Sequence, residues 1–307
     1  MSSLVLVWAM LLDAALGEPR WLWSRLPHPA VLMGRAVDWA DAKYNAKGEG
    51  TRQRGALAIL VLCLVAALAG WILSLHWMVE LLVAAILLAQ RSLVQHVQSV
   101  AVALEENLPA ARRAVAQIVG RDTKEMDEPS IARAAMESAS ENLSDGVVAP
   151  VFWFLIAGLP GMAVYKMVNT ADSMIGYRTP RHEKFGWASA RLDDLLNLIP
   201  ARLTALVIAA LGGVLERWSQ IAKDARLHRS PNAGWPEAAL AQSLDVSLSG
   251  PRSYHGKPRD FPWVHASGQR EAMASHVEDT VSMLWQVWAV CLACVVLIGL
   301  ATLALGL

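Results

Sequence analysis

The amino-acid sequence predicts an all-α protein, a polytopic integral membrane protein that carries its functional site on polar loops. Hydrophobic residues make up 55% of the chain, only 18% of residues are charged, and the mean hydropathy is +0.35. The apolar residues also form long uncharged runs, which a soluble core does not need. Because lipid offers no water to satisfy backbone polar groups, such runs favour helices. We expect a single integral membrane domain over residues 1–307.

Six apolar segments are candidates for membrane helices. A bilayer core requires about 20 apolar residues in a helix, and the segments 56–75 and 284–307 meet that length without interruption. A Gly-Leu-Pro-Gly sequence interrupts the segment 147–168, which predicts two half-helices or a re-entrant hairpin. The predicted apolar segments are residues 3–16, 56–75, 77–90, 147–168 with a break at 158–161, 195–215 and 284–307.

Four polar stretches separate these segments: residues 17–54, 91–145, 169–194 and 216–283. All four contain Lys and Arg, which favours the cytoplasmic side of the inner (plasma) membrane. They cannot all lie there if every apolar segment crosses once, so at least one segment is expected to return to its own side. Within residues 91–145 we expect two helices separated by a turn near Gly120.

The charge balance and the cysteines exclude several classes of protein. Lys plus Arg and Asp plus Glu both number 27, so net charge gives no reason to expect nucleic acid as a partner. Cys63, Cys291 and Cys294 all lie inside apolar runs, where small packing residues are the simplest interpretation. No disulfide framework is predicted.

An acidic pattern precedes the fourth apolar segment. Glu137, Glu141 and Asp145 are spaced i, i+4, i+8 and would form one stripe on a helix, where like charges repel. A hard cation such as Mg²⁺, bound by one or two carboxylates together with phosphate oxygens, would relieve that repulsion. The alternative is a solvated helix face.

Polar residues also follow the fourth apolar segment. Asn169, Asp172, Tyr177, Arg178 and Arg181 come directly after it, and unpaired polar groups would be costly inside the membrane. The arginines could bind a phosphate or a carboxylate, with the planar guanidinium of Arg178 suited to bidentate contact. Arginines that merely flank a membrane segment are the alternative.

A third polar group begins the fifth apolar segment. Asp193 and Asn197 share a helix face at i, i+4, and Arg191 can reach Asp194 at i, i+3. Arg202 lies several residues into an apolar run, where a cation needs a partner or a water-filled cavity. Arg202 could pair with Asp194 or with an anionic ligand. The alternative is that Arg202 forms only a structural ion pair at the membrane boundary.

Two turn-rich loops complete the candidates. Asn232 lies in a turn that leads into a helix, and Tyr254 lies in a Gly/Pro-rich loop. Both loops suit ligand contact, although each could equally be only a connection. The sequence contains no Walker A loop, Rossmann glycine pattern, G-x-S-x-G or H-E-x-x-H motif, and its histidines show no metal-ligand spacing.

Ordered motifs along nearly the whole chain resemble the adenosylcobinamide-phosphate synthase family, the cobalamin biosynthesis proteins called CobD/CbiB. In one loop the chain departs from the family, because Ser249-Gly250-Pro251 stands where two glycines tend to precede the proline. The motifs are Leu12-Asp13, Gly17-Glu18-Pro19, His28-Pro29, Met33-Gly34, Val119 to Thr123, Glu137-Ser138, Glu141-Asn142, Asp145-Gly146, Pro150, Asn169-Thr170, Asp172-Ser173-Met174, Gly176-Tyr177, Phe185-Gly186, Ala190 to Asp194, Pro200 to Leu203 and Ser230 to Pro236.

The resemblance implies an inner-membrane enzyme that uses ATP and Mg²⁺. Such an enzyme joins adenosylcobyric acid, a corrinoid, to aminopropanol phosphate (or aminopropanol) through an amide bond and gives adenosylcobinamide phosphate. Its further partners would be the lipid bilayer and other late cobalamin-pathway membrane enzymes. No nucleotide-binding motif identifies the ATP site.

The implied chemistry assigns roles to the candidate residues. Acidic residues would handle metal and phosphate or orient the amine, and arginines would neutralise phosphate charge. Glu137, Glu141 and Asp145 are the candidate Mg²⁺ ligands. The predicted catalytic residues are Glu137, Glu141, Asp145, Asp172, Asp193 and Asp194. The predicted substrate-binding residues are Asn142, Asn169, Tyr177, Arg178, Arg191, Asn197, Arg202, Asn232 and Tyr254.

Three other functions remain open at this point. A metal-dependent membrane phospho-alcohol transferase would need a repeated Asp-x-x-Asp arrangement, which only Asp193-Asp194 approaches. A non-enzymatic membrane sensor of related architecture would not need the acidic clusters. The break at residues 158–161 is also typical of transporters.

Overall fold

The computed structural model describes residues 2–254 and 257–306, and 74% of the chain is helical. The all-α prediction is therefore confirmed. The α-helices are α1 (Ser2–Leu16), α2 (Arg20–Trp23), α3 (Pro29–Tyr44), α4 (Arg52–Ser74), α5 (Trp77–Leu87), α6 (Gln90–Glu106), α7 (Leu108–Val115), α8 (Glu128–Leu143), α9 (Ala149–Ile175), α10 (Trp187–Leu196), α11 (Leu198–Leu211), α12 (Trp218–Ala225), α13 (Gly234–Leu244) and α14 (Ala274–Ala304).

Four short strands and three other helical turns complete the described secondary structure. β1 pairs with β4 and β2 with β3, both antiparallel. The strands are β1 (Leu248–Ser249), β2 (Arg252–Tyr254), β3 (Lys257–Arg259) and β4 (Trp263–Val264). A π-helical turn covers Ser144–Val148, and 3₁₀ turns cover Ala46–Gly48 and Leu215–Arg217.

Four described helices are long and apolar enough to cross a membrane. They are α4 (Arg52–Ser74), α5 with α6 (Trp77–Glu106), α8 with the π turn and α9 (Glu128–Ile175), and α14 (Ala274–Ala304), each consecutive run being counted as one helix. A fifth candidate is the bent pair α10–α11, whose halves meet at 44°. Many leucines, valines and tryptophans of these helices are exposed, Leu64 and Trp71 among them, as expected of side chains that face lipid. The prediction of a polytopic membrane protein is confirmed.

Backbone contacts divide the chain into two compact units. Unit 1 comprises Met1–Ala89, Ala149–Asn197 and Leu292–Leu307, and unit 2 comprises Gln90–Val148 and Leu198–Cys291. Each unit is assembled from segments that are far apart in the sequence.

Unit 1 is built around the packing of α4 on α9. α9 is interrupted at Ala157 and Gly158, whose backbone is not helical, and Pro160 follows. A Cβ at Gly70 would lie 2.8 Å from the Cα of Pro160, so only glycine permits this approach of α4 to the interruption. The predicted break is therefore present and begins one residue before residues 158–161.

Unit 2 has a core rich in alanine. Ala132, Ala135 and Ala139 of α8 are fully buried, and their small side chains let α6 and α13 pack closely on α8. Asp127 is the N-cap of α8, and its carboxylate accepts a hydrogen bond from the Ser130 N–H at 3.0 Å.

The structure corrects two details of the polar stretches. Residues 91–145 contain helices α6, α7 and α8 rather than two helices, because Asn107 interrupts the first as the N-cap of α7. Residues 216–283 contain the four strands, which were not predicted, since strands of two or three residues are too short for a period-2 pattern.

Candidate functional site

Glu137, on the buried face of α8, binds two arginine side chains at the edge of a cavity in unit 2. Its Oε2 accepts hydrogen bonds from Arg121 Nη2 at 2.9 Å and Arg252 Nη1 at 2.7 Å. Its Oε1 accepts one from the Ser249 N–H at 3.0 Å. Both arginine side chains are close to fully buried, with 7% and 11% exposure. Hydrogen bonds between ionised partners are the strong class, so this arrangement is well fixed.

Short irregular elements bring the partners to Glu137. Arg121 lies in the segment between α7 and α8, and Ser249 and Arg252 flank the turn from β1 to β2. Ser249 has φ +62° and Gly250 φ +77°. A Cβ at Gly250 would lie 2.7 Å from the Trp263 ring of β4. The ring therefore fixes the turn that presents Ser249 and Arg252 to Glu137.

The cavity beside Glu137 has a volume of about 690 Å³ and a lining with a small excess of positive charge. Four cationic side chains line it against three carboxylates, one of which is Glu137 itself. The cations are Arg121, Lys124, Arg133 and Arg252, and the carboxylates are Asp122, Glu125 and Glu137. Pockets of ~300–1,000 Å³ typically hold small-molecule ligands, and this one suits an anion.

A second carboxyl group, that of Glu237, is buried near Glu137. Burial raises the pKa of Glu237 on α13 well above its usual range, and the nearby Glu137 carboxylate raises it further, although Arg252 opposes both effects. Glu237 Oε2 lies 4.0 Å from His228 Nε2. Burial, and then the charge of Arg252, lower the pKa of His228, whose Nδ1 accepts the Ser230 N–H. Burial therefore favours the neutral form of both side chains.

A separate polar network lies in unit 1 and contains three of the predicted residues. Asp193 accepts hydrogen bonds from Asn169 Nδ2 at 3.3 Å and from Asn197 Nδ2 at 3.1 Å. Asn197 Oδ1 in turn accepts the Tyr165 hydroxyl at 2.9 Å. The predicted i, i+4 relation of Asp193 and Asn197 is confirmed. The structure thus brings Asn169, Asp193 and Asn197 together through chain segments 24 residues apart.

Other predicted residues of unit 1 surround the segment between α9 and α10. Arg191 Nη1 lies 3.5 Å from Asp194 Oδ2, so the predicted i, i+3 ion pair is present. Tyr177 and Arg178 are exposed and Asp172 is half-buried. Nε and Nη2 of Arg181 both donate to Oδ2 of Asp41 on α3, which attaches this segment. Arg181 is therefore a structural anchor here.

Arg202 and Asn232 of unit 2 are in direct contact. Arg202 Nη1 donates to Asn232 Oδ1 at 2.8 Å and to the Leu198 carbonyl, and Nη2 donates to the Pro231 carbonyl at 3.2 Å. Its guanidinium also lies 4.8 Å from the centre of the Trp235 ring. These partners attach α11 to the loop before α13. An anionic partner for Arg202 stays a prediction.

The structure corrects the acidic stripe. α8 ends at Leu143, and Asp145 lies in the π turn, where the residue spacing per turn is wider. Glu137 is buried, Asp145 is half-buried, and Glu141 and Asn142 are exposed. The three carboxylates therefore occupy different environments. No group of three or more His, Cys, Asp or Glu side chains in the described part of the chain could hold a metal ion.

Two outcomes remain for the predicted set. The side chain of Tyr254 lies outside the described residues, so its predicted contact with substrate stays untested. Arg121, Lys124, Arg133, Ser249 and Arg252 were missed as site residues. Arg121 stands inside the Val119–Thr123 motif, which was the one available signal, whereas nothing local distinguishes Arg252 from other loop arginines.

Comparison with known proteins identifies the family. The model of the CobD/Cbib protein family matches residues 6–284. A cobalamin biosynthesis protein CobD from Rhizobium meliloti (strain 1021) is 48% identical over 92% of both chains. Proteins with the same name from Rhodobacter capsulatus and Brucella anthropi are 46% and 41% identical, covering 92% and 99% of this chain and 98% of each relative. No solved structure matches. This chain belongs to the CobD/Cbib family.

Proposed function

We propose that this chain acts in cobalamin biosynthesis as the synthase that joins adenosylcobyric acid to aminopropanol phosphate, or to aminopropanol, with consumption of ATP. The relatives are named cobalamin biosynthesis proteins and align over nearly their whole length. The observation that carries the chemistry is the cavity around the buried Arg121–Glu137–Arg252 group.

The cavity fits the charges of an acid–amine ligation. A carboxylate is a poor electrophile, and ATP, when bound, would supply a phosphoryl group to a carboxylate oxygen and leave as ADP. The amine nitrogen then forms the C–N bond, the phosphate departs with the electron pair of the C–O bond, and the amine proton passes to a base. Arg121, Lys124, Arg133 and Arg252 would stabilise the negative charge on the phosphate oxygens. Binding both reactants in one site supplies much of the rate enhancement.

The proposed Mg²⁺ fits less directly. Glu137 already accepts hydrogen bonds on both of its oxygens, so it is not a ready metal ligand. Mg²⁺ commonly reaches enzymes on substrate phosphates with only one or two protein carboxylates. Glu141 and Asp145 remain candidates for that role, and no step here depends on it.

Turnover by the purified protein tests the proposal. Protein in detergent is incubated with adenosylcobyric acid, aminopropanol phosphate (or aminopropanol), ATP and Mg²⁺, and the product is followed by mass spectrometry. We expect an amide product that requires every component. Arg252→Ala should lower kcat/KM by about 10²-fold, the scale for loss of one charge-stabilising group, whereas exposed Arg217→Ala should not.

Three results would reject the proposal. Product formation without ATP would indicate a transferase, and folded protein that gives no product with either amino alcohol would favour a sensor. Equal activity of Arg252→Ala and wild type would show that the reaction does not take place in this cavity.

A further inference from the structure

We propose that Arg121 and Arg252 form a receptor for a phosphate group of a small-molecule reactant, and that Glu137 is the positioning residue that holds the two guanidinium groups rather than a magnesium ligand. The identity of the reactant rests on the proposed function, whereas the receptor itself can be tested without turnover.

The hydrogen bonds of Glu137 support a positioning role. Its two oxygens accept three hydrogen bonds, two from guanidinium groups and one from the Ser249 N–H. Three of the roughly four acceptor positions of the carboxylate are occupied, and a magnesium ion on the remaining one would place a third cation beside the two guanidinium groups. Like charges at that separation are unfavourable. Glu137 is therefore better matched to two arginines than to a metal.

The two arginines retain excess charge and unused donors. Two buried cations share the one Glu137 carboxylate, since both bonds end on Oε2. Each guanidinium has five N–H donors. Arg252 Nη2 contacts Ser249 Oγ at 3.3 Å, and Arg252 Nε is buried without a partner among the described residues. Arg252 Nε itself is not accessible from the cavity, but both arginines line it, so an anion there would accept from guanidinium N–H groups that Glu137 and Ser249 leave unused.

Arg252 is also fixed in orientation. Its guanidinium lies 4.5 Å from the centre of the Phe261 ring, a cation–π contact. On the same cavity, Arg133 donates to the Arg270 carbonyl at 2.6 Å and lies 5.3 Å from the centre of the Trp263 ring. Arginines with fixed planes bind phosphate oxygens with little loss of side-chain entropy.

The cavity volume limits the ligand. About 690 Å³ is within the range for small-molecule sites, which suits a nucleotide or an amino-alcohol phosphate. These two reactants share the phosphate chemistry that the arginines recognise. Direct binding measurements with each one distinguish them.

Calorimetry on the full chain in detergent provides the test. The probes are a non-hydrolysable ATP analogue with Mg²⁺, and aminopropanol phosphate. We expect Glu137→Gln and Arg252→Lys each to weaken binding of at least one probe by on the order of tenfold, since Gln weakens the charge-assisted hydrogen bonds that position the two arginines and Lys loses the planar fork. The matched controls are the exposed substitutions Glu105→Gln and Arg217→Lys, which should bind like wild type.

A second readout separates positioning from metal binding. We expect the Mg²⁺ concentration for half-maximal activity, at saturating ATP, to be the same in Glu137→Gln as in wild type. A raised Mg²⁺ requirement with unchanged phosphate affinity would overturn the proposal in favour of a metal ligand. Unchanged binding of both probes in folded Arg252→Lys would overturn it too, including when Glu137→Gln fails to fold. Phosphate binding in a chain that lacks synthase activity would reject only the proposed function.

Discussion

Ser249 has a backbone conformation that ordinarily selects glycine. Its φ of +62° lies in the left-handed region, which costs a residue with a Cβ about 1 kcal/mol. Its N–H donates to Glu137 and its hydroxyl contacts Arg252. The resembled family tends to have two glycines before the proline that is Pro251 here. Ser249 replaces the first of them, so this chain differs from the family at the turn that lines the cavity.

We expect Ser249→Gly to keep the free energy of unfolding within roughly 0.5 kcal/mol of wild type, because relief of strain offsets the added freedom of the unfolded chain. The backbone N–H to Glu137 is kept. Ser249→Ala is the control, since it keeps the strain and removes the hydroxyl, and it should be less stable than wild type. Denaturant unfolding in detergent measures all three proteins. A glycine variant less stable than the alanine variant would contradict the argument.

The sequence identified Glu137 but could not identify its partners. Arg121 precedes it by 16 residues and Arg252 follows by 115. Helical spacing relates residues three or four apart, so it found Asp193 with Asn197 and Arg191 with Asp194. Contacts between a helix and distant loops depend on the tertiary fold, which spacing does not specify.

At the scale of the elements, the lengths of the apolar runs predicted the positions of helices well. Helical spacing did not predict the orientation of polar side chains beyond the end of α8. The predicted segments 3–16 and 56–75 agree closely with α1 and α4. The predicted acidic stripe assumed that α8 continues beyond residue 145, but a π turn begins at Ser144. Such a turn has no clear sequence signature, so the orientation of Asp145 could not be predicted.

Arg202 and Asn232 should behave as an attachment between two elements. Arg202→Lys keeps the charge but cannot contact Asn232, Pro231 and Leu198 together. We expect it to lower the free energy of unfolding by about 1–3 kcal/mol. A double-mutant cycle with Asn232→Ala checks this, since coupled residues give less than additive losses.

Additive losses in that cycle would contradict the attachment. If Arg202→Lys instead retained wild-type stability and bound an anionic substrate more weakly, Arg202 would belong to the substrate site, as the sequence had suggested.

At the scale of the whole molecule, membrane orientation is the main prediction still to be tested. ATP is available in the cytoplasm, and the Lys and Arg content of the polar stretches favours that side. We expect single cysteines at the exposed positions Glu183 and Asp260, in a chain without Cys63, Cys291 and Cys294, to resist an impermeant maleimide in intact cells. Permeabilised cells should give labelling at both positions. Labelling of only one position in intact cells would place the two stretches on opposite sides.

The division of the chain into two units has a consequence for biosynthesis. Unit 1 takes its last residues from Leu292–Leu307, whereas unit 2 ends at Cys291. As the ribosome makes the chain, the α4–α9 packing can form early, but unit 1 remains incomplete until after all of unit 2 has been synthesised. A ribosome stalled shortly after residue 291 would therefore have synthesised all of unit 2 but not the last segment of unit 1.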